Sequence, residues 1–357
     1  MLFLKKYFFV VFFIVQIVFV QILQFFPVLV EKLYSNFIFV TISHFLRLLF
    51  GKITFSFGDL IYLTLILYLI ISIYKSTKNW KTNWKNYLLR TVNFVSAFYF
   101  LFHFLWGFNY YRQPLFEKMN LKKEYSSSDL YAFTEKLISK TNQLQLEITK
   151  NKNLKVQVPF TNDILILKTL SGYDKLATKH SFFHHKIPSI KSSLFSTPLS
   201  YMGFSGYLNP FTNEAQFNSE VPKYGLPMTV CHEMAHQIGY ASESECNFIG
   251  YLSANSNSDL YFKYAANTLA LKYCLRTIQI DNEKKTSFYL SKINKGIIEN
   301  FNEDKQFYIK YHSFIETGFE FFYDNFLKLN QQKEGMEGYS KFLDLLINFD
   351  KKNANLI

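Results

Sequence analysis

His232 and His236 lie four residues apart with Glu233 between them, inside Thr229-Val-Cys-His-Glu-Met-Ala-His-Gln-Ile238. On a helix that spacing puts both imidazoles on one face, where they can reach a single metal ion. Glu233 then stands over the open side of the metal and can take a proton from a water that the ion has acidified. This H-E-x-x-H arrangement points to metal-assisted hydrolysis, with Zn2+ as the expected cofactor. Thr229, Val230 and Cys231 precede the motif and Ile238 follows it, so the rest of the helix is apolar and expected to be buried. A buried helix carrying His, Glu and His needs a compensating partner, because unpaired polar groups are costly inside a protein. Gly239 suits the C-terminus of that helix.

A hydrolytic zinc site takes a third protein ligand and leaves its fourth position to water. Glu243 and Glu245 compete for the role. If Ser242 opens a second helix in a tight hairpin, the metal lies roughly 5–10 Å from the turn at the helical rise per residue. That favours Glu245, further along the second helix, with Glu243 as the alternative. The same spacing also makes Ser242-x-x-Glu245 a capping box, which would occupy Glu245 locally. Cys231 and Cys246 flank the motif and read as small buried residues rather than accessory ligands. With Cys274 they make three cysteines, an odd number that gives no complete disulfide framework.

The elements that must position these groups fall into two regions. Aromatic residues make up 19% of the chain, with 41 Phe and 25 Tyr, and the excess is concentrated in the first 112 residues. Three apolar runs there, 7–26, 55–74 and 91–111, are each long enough to cross a bilayer core of about 30 Å. No small-residue cleavage site follows the first run, so it reads as an anchor and not a leader. A shorter apolar stretch, 35–50, carries His44 and Arg47 and is expected to lie in the interface, the alternative being a fourth span. Lys5 and Lys6 precede the first run, and Lys75, Lys78, Lys81, Lys85 and Arg90 separate the second from the third. With three spans both clusters face the cytoplasm, and everything from residue 113 lies outside the inner membrane of a bacterial cell. The net charge of +12 owes five positive charges to that one connection. It therefore makes no case for nucleic acid, and the expected partners are the lipid bilayer and a peptide or protein substrate.

Residues 113–357 are numerous enough for one domain with a full core. The stretch 128–147 opens with Ser-Asp and has apolar residues at helical spacing. Residues 192–227 are punctuated by Pro and Gly and read as loops with short strands. Within them 205–218 forms an extended pair around Asn209-Pro210. Zinc peptidases place such a strand before the metal helix, where its free edge pairs with a peptide substrate. Tyr207 and Asn209 are candidate substrate contacts, and Tyr207, Tyr323 and Tyr339 candidate oxyanion donors. Helical patterns continue over 246–252, 258–280, 284–301, 304–329 and 342–349.

The chain also resembles the bacterial membrane proteins grouped as domain of unknown function 3810. The resemblance rests on Tyr110-Tyr-Arg-Gln-Pro-Leu115, Asn209-Pro-Phe-Thr-Asn-Glu-Ala215 and the block from Pro227 to Gly239. It continues through Glu243-Ser-Glu-Cys-Asn-Phe-Ile-Gly-Tyr251, Tyr323-Asp-Asn-Phe-Leu-Lys328 and Gly338-Tyr339. It implies no substrate. The Glu243–Tyr251 stretch is similar to the third-ligand helix of Glu-zincin peptidases. A Glu followed by a small residue there favours Glu245, which precedes Cys246. A Glu with an acidic residue four later would select Glu243, with Asn247 in the acidic position. The expectation is a mainly α protein: three transmembrane helices, then an α+β, helix-dominated, zincin-like metallopeptidase domain. The rival expectations are a non-enzymatic membrane protein with a structural zinc site, closed by Cys231 or Cys246, and a membrane scaffold or transporter.

Overall fold

The computed structural model describes residues 2–78, 80–332 and 340–353, and Tyr339 lies outside them. The N-terminal region is helical, as its continuous apolar runs require. Helix α1 spans Leu2–Leu23, α2 Pro27–Phe50, α3 Phe57–Lys78 and α4 Trp80–Leu105. By length and hydropathy α2, α3 and α4 are each able to cross a membrane, and Tyr7–Leu23 forms a shorter apolar segment. The chain is thus a membrane protein. The spans expected at 55–74 and 91–111 lie a few residues from α3 and α4. Pro27 does not simply end the first run: it opens α2, as its fixed φ and missing N–H suit a first helical turn.

Although α2 is long enough to span, both of its ends lie on the C-terminal domain. Near its start Glu31 accepts from Lys118 of the domain at 2.7 Å, and twice from Arg112, just before the domain, at 2.8 Å. Near its end Arg47 Nη1 donates to Asn213 Oδ1 at 2.5 Å and to the Gln237 carbonyl at 3.0 Å. A helix crossing a bilayer would carry those ends about 30 Å apart, on opposite sides. Helix α2 thus meets the domain near both ends, while its length and hydropathy also fit a span. Helix α1 packs on α4, where Gln16 donates to Ser96 Oγ at 3.2 Å.

After a turn at Gly107–Tyr111 the chain enters a domain of packed helices with one small sheet. Helix α5, Ser127–Thr149, opens with a capping box between Ser126 and Asp129 and buries Leu130, Phe133, Leu137, Ile138 and Leu144. Helix α6 covers Asn162–Lys179, α7 Leu226–Gln237, α8 Glu243–Ser256 and α9 Leu260–Asp281. The patterns at 284–301 and 304–329 become three helices: α10 Glu283–Ser291, α11 Lys295–Tyr311 and α12 Phe314–Leu329. The breaks fall at Asn294 and Ser313, residues whose side chains compete with helical backbone bonds. Helix α13, Ser340–Lys352, closes the core.

The sheet holds β1 Ile190–Ser192, β2 Gly206–Asn209 and β3 Glu214–Phe217, in the order β1-β3-β2. The hairpin around Asn209-Pro210 is present as an antiparallel pair, and β1 adds to β3 in parallel. Alternation divides its two faces. Ala215 and Phe217 enter the domain core, and Leu208 packs with the aromatic cluster around Trp106. Tyr207, Asn209, Glu214 and Gln216 point the other way, onto the first turn of α3. There Glu214 accepts from the Phe57 and Gly58 amides at 3.2 and 2.7 Å, a carboxylate placed at a helix N-terminus. Asp59 of the same turn accepts from the Leu194 amide at 2.7 Å and from Tyr207.

Candidate metal centre

Helices α7 and α8 form an antiparallel pair packed closely enough to bring one side chain of the second onto two of the first. A Cβ at Gly250 would stand 3.0 Å from the His232 nitrogen and 3.1 Å from its Cα, so only glycine permits this approach. Glu243, Asn247 and Gly250 follow one another at helical spacing and together form the face turned to α7. Glu243 Oε2 lies 3.1 Å from His232 Nε2, and Oε1 lies 3.7 Å from His236 Nε2. The ligand-type atoms of these three residues all fall within 4.8 Å of one another.

The other nitrogen of each imidazole is already held. His232 Nδ1 meets Asn247 Oδ1 at 2.9 Å, and His236 Nδ1 meets the Tyr240 carbonyl at 2.8 Å. Each ring is therefore fixed with Nε2 turned inward, as in zinc sites whose ligands are oriented by outer partners. Burial opposes ionisation of Glu243, but the imidazoles facing it outweigh that and hold its carboxyl well below the usual range. Two imidazoles and one carboxylate form a donor set that suits zinc once the ion displaces the imidazole proton. Glu233 is nearly fully buried, and its Oε2 has no hydrogen-bond partner among the described residues. Burial pushes its carboxyl up to about 7, against the pull of His232 and His236. The residues fit a metal with one orphaned carboxylate beside it.

Glu245 is not at this centre. Two residues on from Glu243, it points roughly 200° around the helix axis. Its Oε1 accepts the Leu115 amide at 2.6 Å. Burial pushes Glu245 up to about 7, opposed by that amide and by Arg112. The hairpin reasoning that favoured Glu245 fails because the link 238–242 already carries α8 back to the level of both imidazoles. Nor does the capping box form: Ser242 makes no side-chain cap. Cys246 Sγ stands 3.2 Å from His236 Nδ1 and 3.1 Å from the Tyr240 carbonyl, behind the ring and away from Nε2. Burial raises both Cys231 and Cys246 to about 12, so each stays a thiol.

The hairpin before the metal helix lies where sequence spacing put it. A Cβ at Gly206 would fall 2.6 Å from Glu233 Oε1, so edge strand β2 runs directly past the carboxylate. Tyr207 and Asn209 are on the opposite face. Tyr207 donates to Asp59, and Asn209 Oδ1 closes a turn by accepting the Phe211 and Thr212 amides at 3.0 and 3.3 Å. Neither expected substrate contact faces the centre. Tyr323 does: its hydroxyl donates to Glu243 Oε1 at 2.6 Å.

Three residues unremarked for their chemistry in the sequence hold the end of α7. Trp106 Nε1 donates to the His236 carbonyl at 3.2 Å, Arg47 to that of Gln237, and Arg112 Nη1 to that of Gly239 at 2.6 Å. These carbonyls belong to the helix end and the residues just past it, where helical partners run out. Arg112 also stacks over the Tyr240 ring, 4.0 Å from its centroid. The aromatic and basic residues at 106–112 were the available signal, since a membrane exit has no local need for a bidentate arginine.

A mainly helical membrane protein with a His-His-Glu cluster on two antiparallel helices is the class so defined. The chain belongs to the family described as protein of unknown function DUF3810, matched over residues 34–347. No curated protein and no solved structure matches it.

Proposed function

We propose that the chain is a membrane-anchored zinc metallopeptidase of Glu-zincin type. The observation that carries this is the convergence of His232 Nε2, His236 Nε2 and the Glu243 carboxylate beside the unpartnered Oε2 of Glu233. His232, His236 and Glu243 would hold the ion. Zinc, when bound, supplies a Lewis acid that acidifies water and polarises a carbonyl. Glu233 takes the proton of the attacking water and returns it to the leaving amine. Tyr323 fixes the Glu243 carboxylate through its hydroxyl. Edge strand β2 offers backbone groups for an extended peptide passing Glu233. A closed structural site is disfavoured by the position of Cys246 on the Nδ1 side of His236.

The placement of α2 along the domain supports three crossings, by α1, α3 and α4. The N-terminal end of α3 and the C-terminal end of α4 meet the domain, at Glu214 and His236. Their other ends carry Lys75 to Arg90, which hold that side in the cytoplasm. The catalytic domain then sits outside the inner membrane of a bacterial cell, against the bilayer, and its substrates are peptides or proteins reaching that surface.

The test is metal analysis and peptide hydrolysis on the full chain in detergent. One zinc per chain is expected, with hydrolysis abolished by chelation and restored by zinc. Glu233→Gln keeps the zinc and lowers turnover by about 10²–10⁴-fold. A Glu233→Gln protein as active as the parent removes Glu233 from the reaction, and a zinc-free active parent removes the whole reading.

A further inference from the structure

Arg47 is 2% exposed. Its only acceptors among the described residues are the neutral Asn213 amide oxygen and the Gln237 carbonyl, and its Nε has no partner. No described carboxylate forms an ion pair with it. A buried guanidinium without a counter-charge is expensive, by several kcal/mol per ion in general terms. Arg47 lines a cleft of about 190 Å³ between α2 and the segment that carries His184 and Lys186. His44, His184, Lys186 and Arg112 line it too, and no carboxylate does. Glu31, which pairs with Arg112 near the start of α2, is already shared with Lys118, at 2.8 and 2.7 Å. Ser35, also on the cleft wall, is buried with its hydroxyl unpartnered.

We propose that this cleft binds a phosphate group, which supplies the anion that Arg47 lacks. Arginine with lysine, imidazole and hydroxyl donors is the usual company of phosphate oxygens. The floor is apolar, through Phe39, Val40 and Ile238. The outer face of α2 presents Phe37, Phe45 and Leu48 outward, so the cleft opens beside a surface suited to acyl chains. Basic pockets beside membrane helices recognise acidic lipid headgroups in this way. The phosphate can belong to such a lipid or to a free phosphorylated molecule. The site shares no residue with the His-His-Glu cluster, although both adjoin the C-terminal end of α7.

The test uses the full chain, purified in uncharged detergent, and His44→Gln/Lys186→Gln, which leaves the buried Arg47 in place. Thermal unfolding and native mass spectrometry are followed with inorganic phosphate, with phosphatidylcholine, and with phosphatidylglycerol. Saturable binding of phosphatidylglycerol over phosphatidylcholine, weakened about tenfold or more in the double variant, supports the proposal with a lipid as the source. Saturable protection by inorganic phosphate, equally weakened and unimproved by lipid, supports it with a free phosphate. No saturable binding of any of the three overturns it, and so does binding that is the same in parent and variant.

Discussion

Asn247 Oδ1 accepts at His232 Nδ1 across 2.9 Å while its amide nitrogen donates to the Tyr273 hydroxyl at 3.2 Å. Because the nitrogen of the amide is committed to Tyr273, its oxygen faces the ring. Nδ1 must then carry the proton, leaving Nε2 with the free lone pair a metal needs. Asn247 is thus a tautomer-fixing residue for the proposed zinc ligand. Asn247→Leu should lower zinc affinity about 10–100-fold with the fold intact, as outer-partner losses do. A competition titration against a chelating dye reads this, and an unchanged zinc affinity would remove Asn247 from the role.

Glu243 and Glu245 separate cleanly by metal content. Glu243→Ala takes away one of three ligands and should leave little zinc after dialysis. Glu245→Ala should keep the metal, while the Leu115 amide loses its acceptor at a cost on the order of 1–3 kcal/mol. It therefore lowers the melting temperature. If Glu245→Ala loses zinc and Glu243→Ala retains it, the ligand assignment is reversed.

Glu233 makes the metal-free protein pH-sensitive. Its carboxyl is raised from 4.5 to about 7 in the folded state, with burial the largest cause. A raised carboxyl binds its proton more tightly when folded, so its contribution to stability is whole below about 4.5 and is lost as pH rises through about 7. At pH 8 the ionised, buried side chain costs on the order of 2–3 kcal/mol. Glu233→Gln, which carries no charge, should melt higher than the parent at pH 8 without metal, and the gap should close towards pH 5. Melting curves that run parallel across that range contradict the burial argument.

Topology has a direct reading as well. A reporter active only outside the cytoplasm, fused after residue 357, should give signal, and the same reporter at Lys81 should not. The opposite pattern places the metal centre in the cytoplasm and removes envelope peptides as substrates.

The sequence made some parts of this legible and hid others for identifiable reasons. H-E-x-x-H is a local pattern, and helical geometry alone carries it into the fold. The hairpin at Asn209-Pro210 is equally local. The third member of the His-His-Glu cluster was not, because two carboxylates two residues apart differ only in which face they occupy. Gly250 held the missing information: Glu243, Asn247 and Gly250 share a face, and a glycine on it marks the side where another backbone comes close. Tyr207 and Asn209 were misplaced for a related reason. In a two-sided strand, nearness in sequence to the metal helix says nothing about which face a side chain takes. Helix α2 has the length and hydropathy of a span, and the long-range partners of Glu31 and Arg47, which tie it to the domain, are not legible in the sequence.

The end of α7 is held by Trp106, Arg47 and Arg112, all supplied from the chain before residue 113. The covalent order suggests an anchor followed by an independent head, but the backbone carbonyls beside the metal centre are satisfied by the anchor. Cutting at residue 113 would strip the donors from the His236, Gln237 and Gly239 carbonyls at the end of α7. The His-His-Glu cluster is therefore buttressed by the apolar N-terminal region as well as by its own helices.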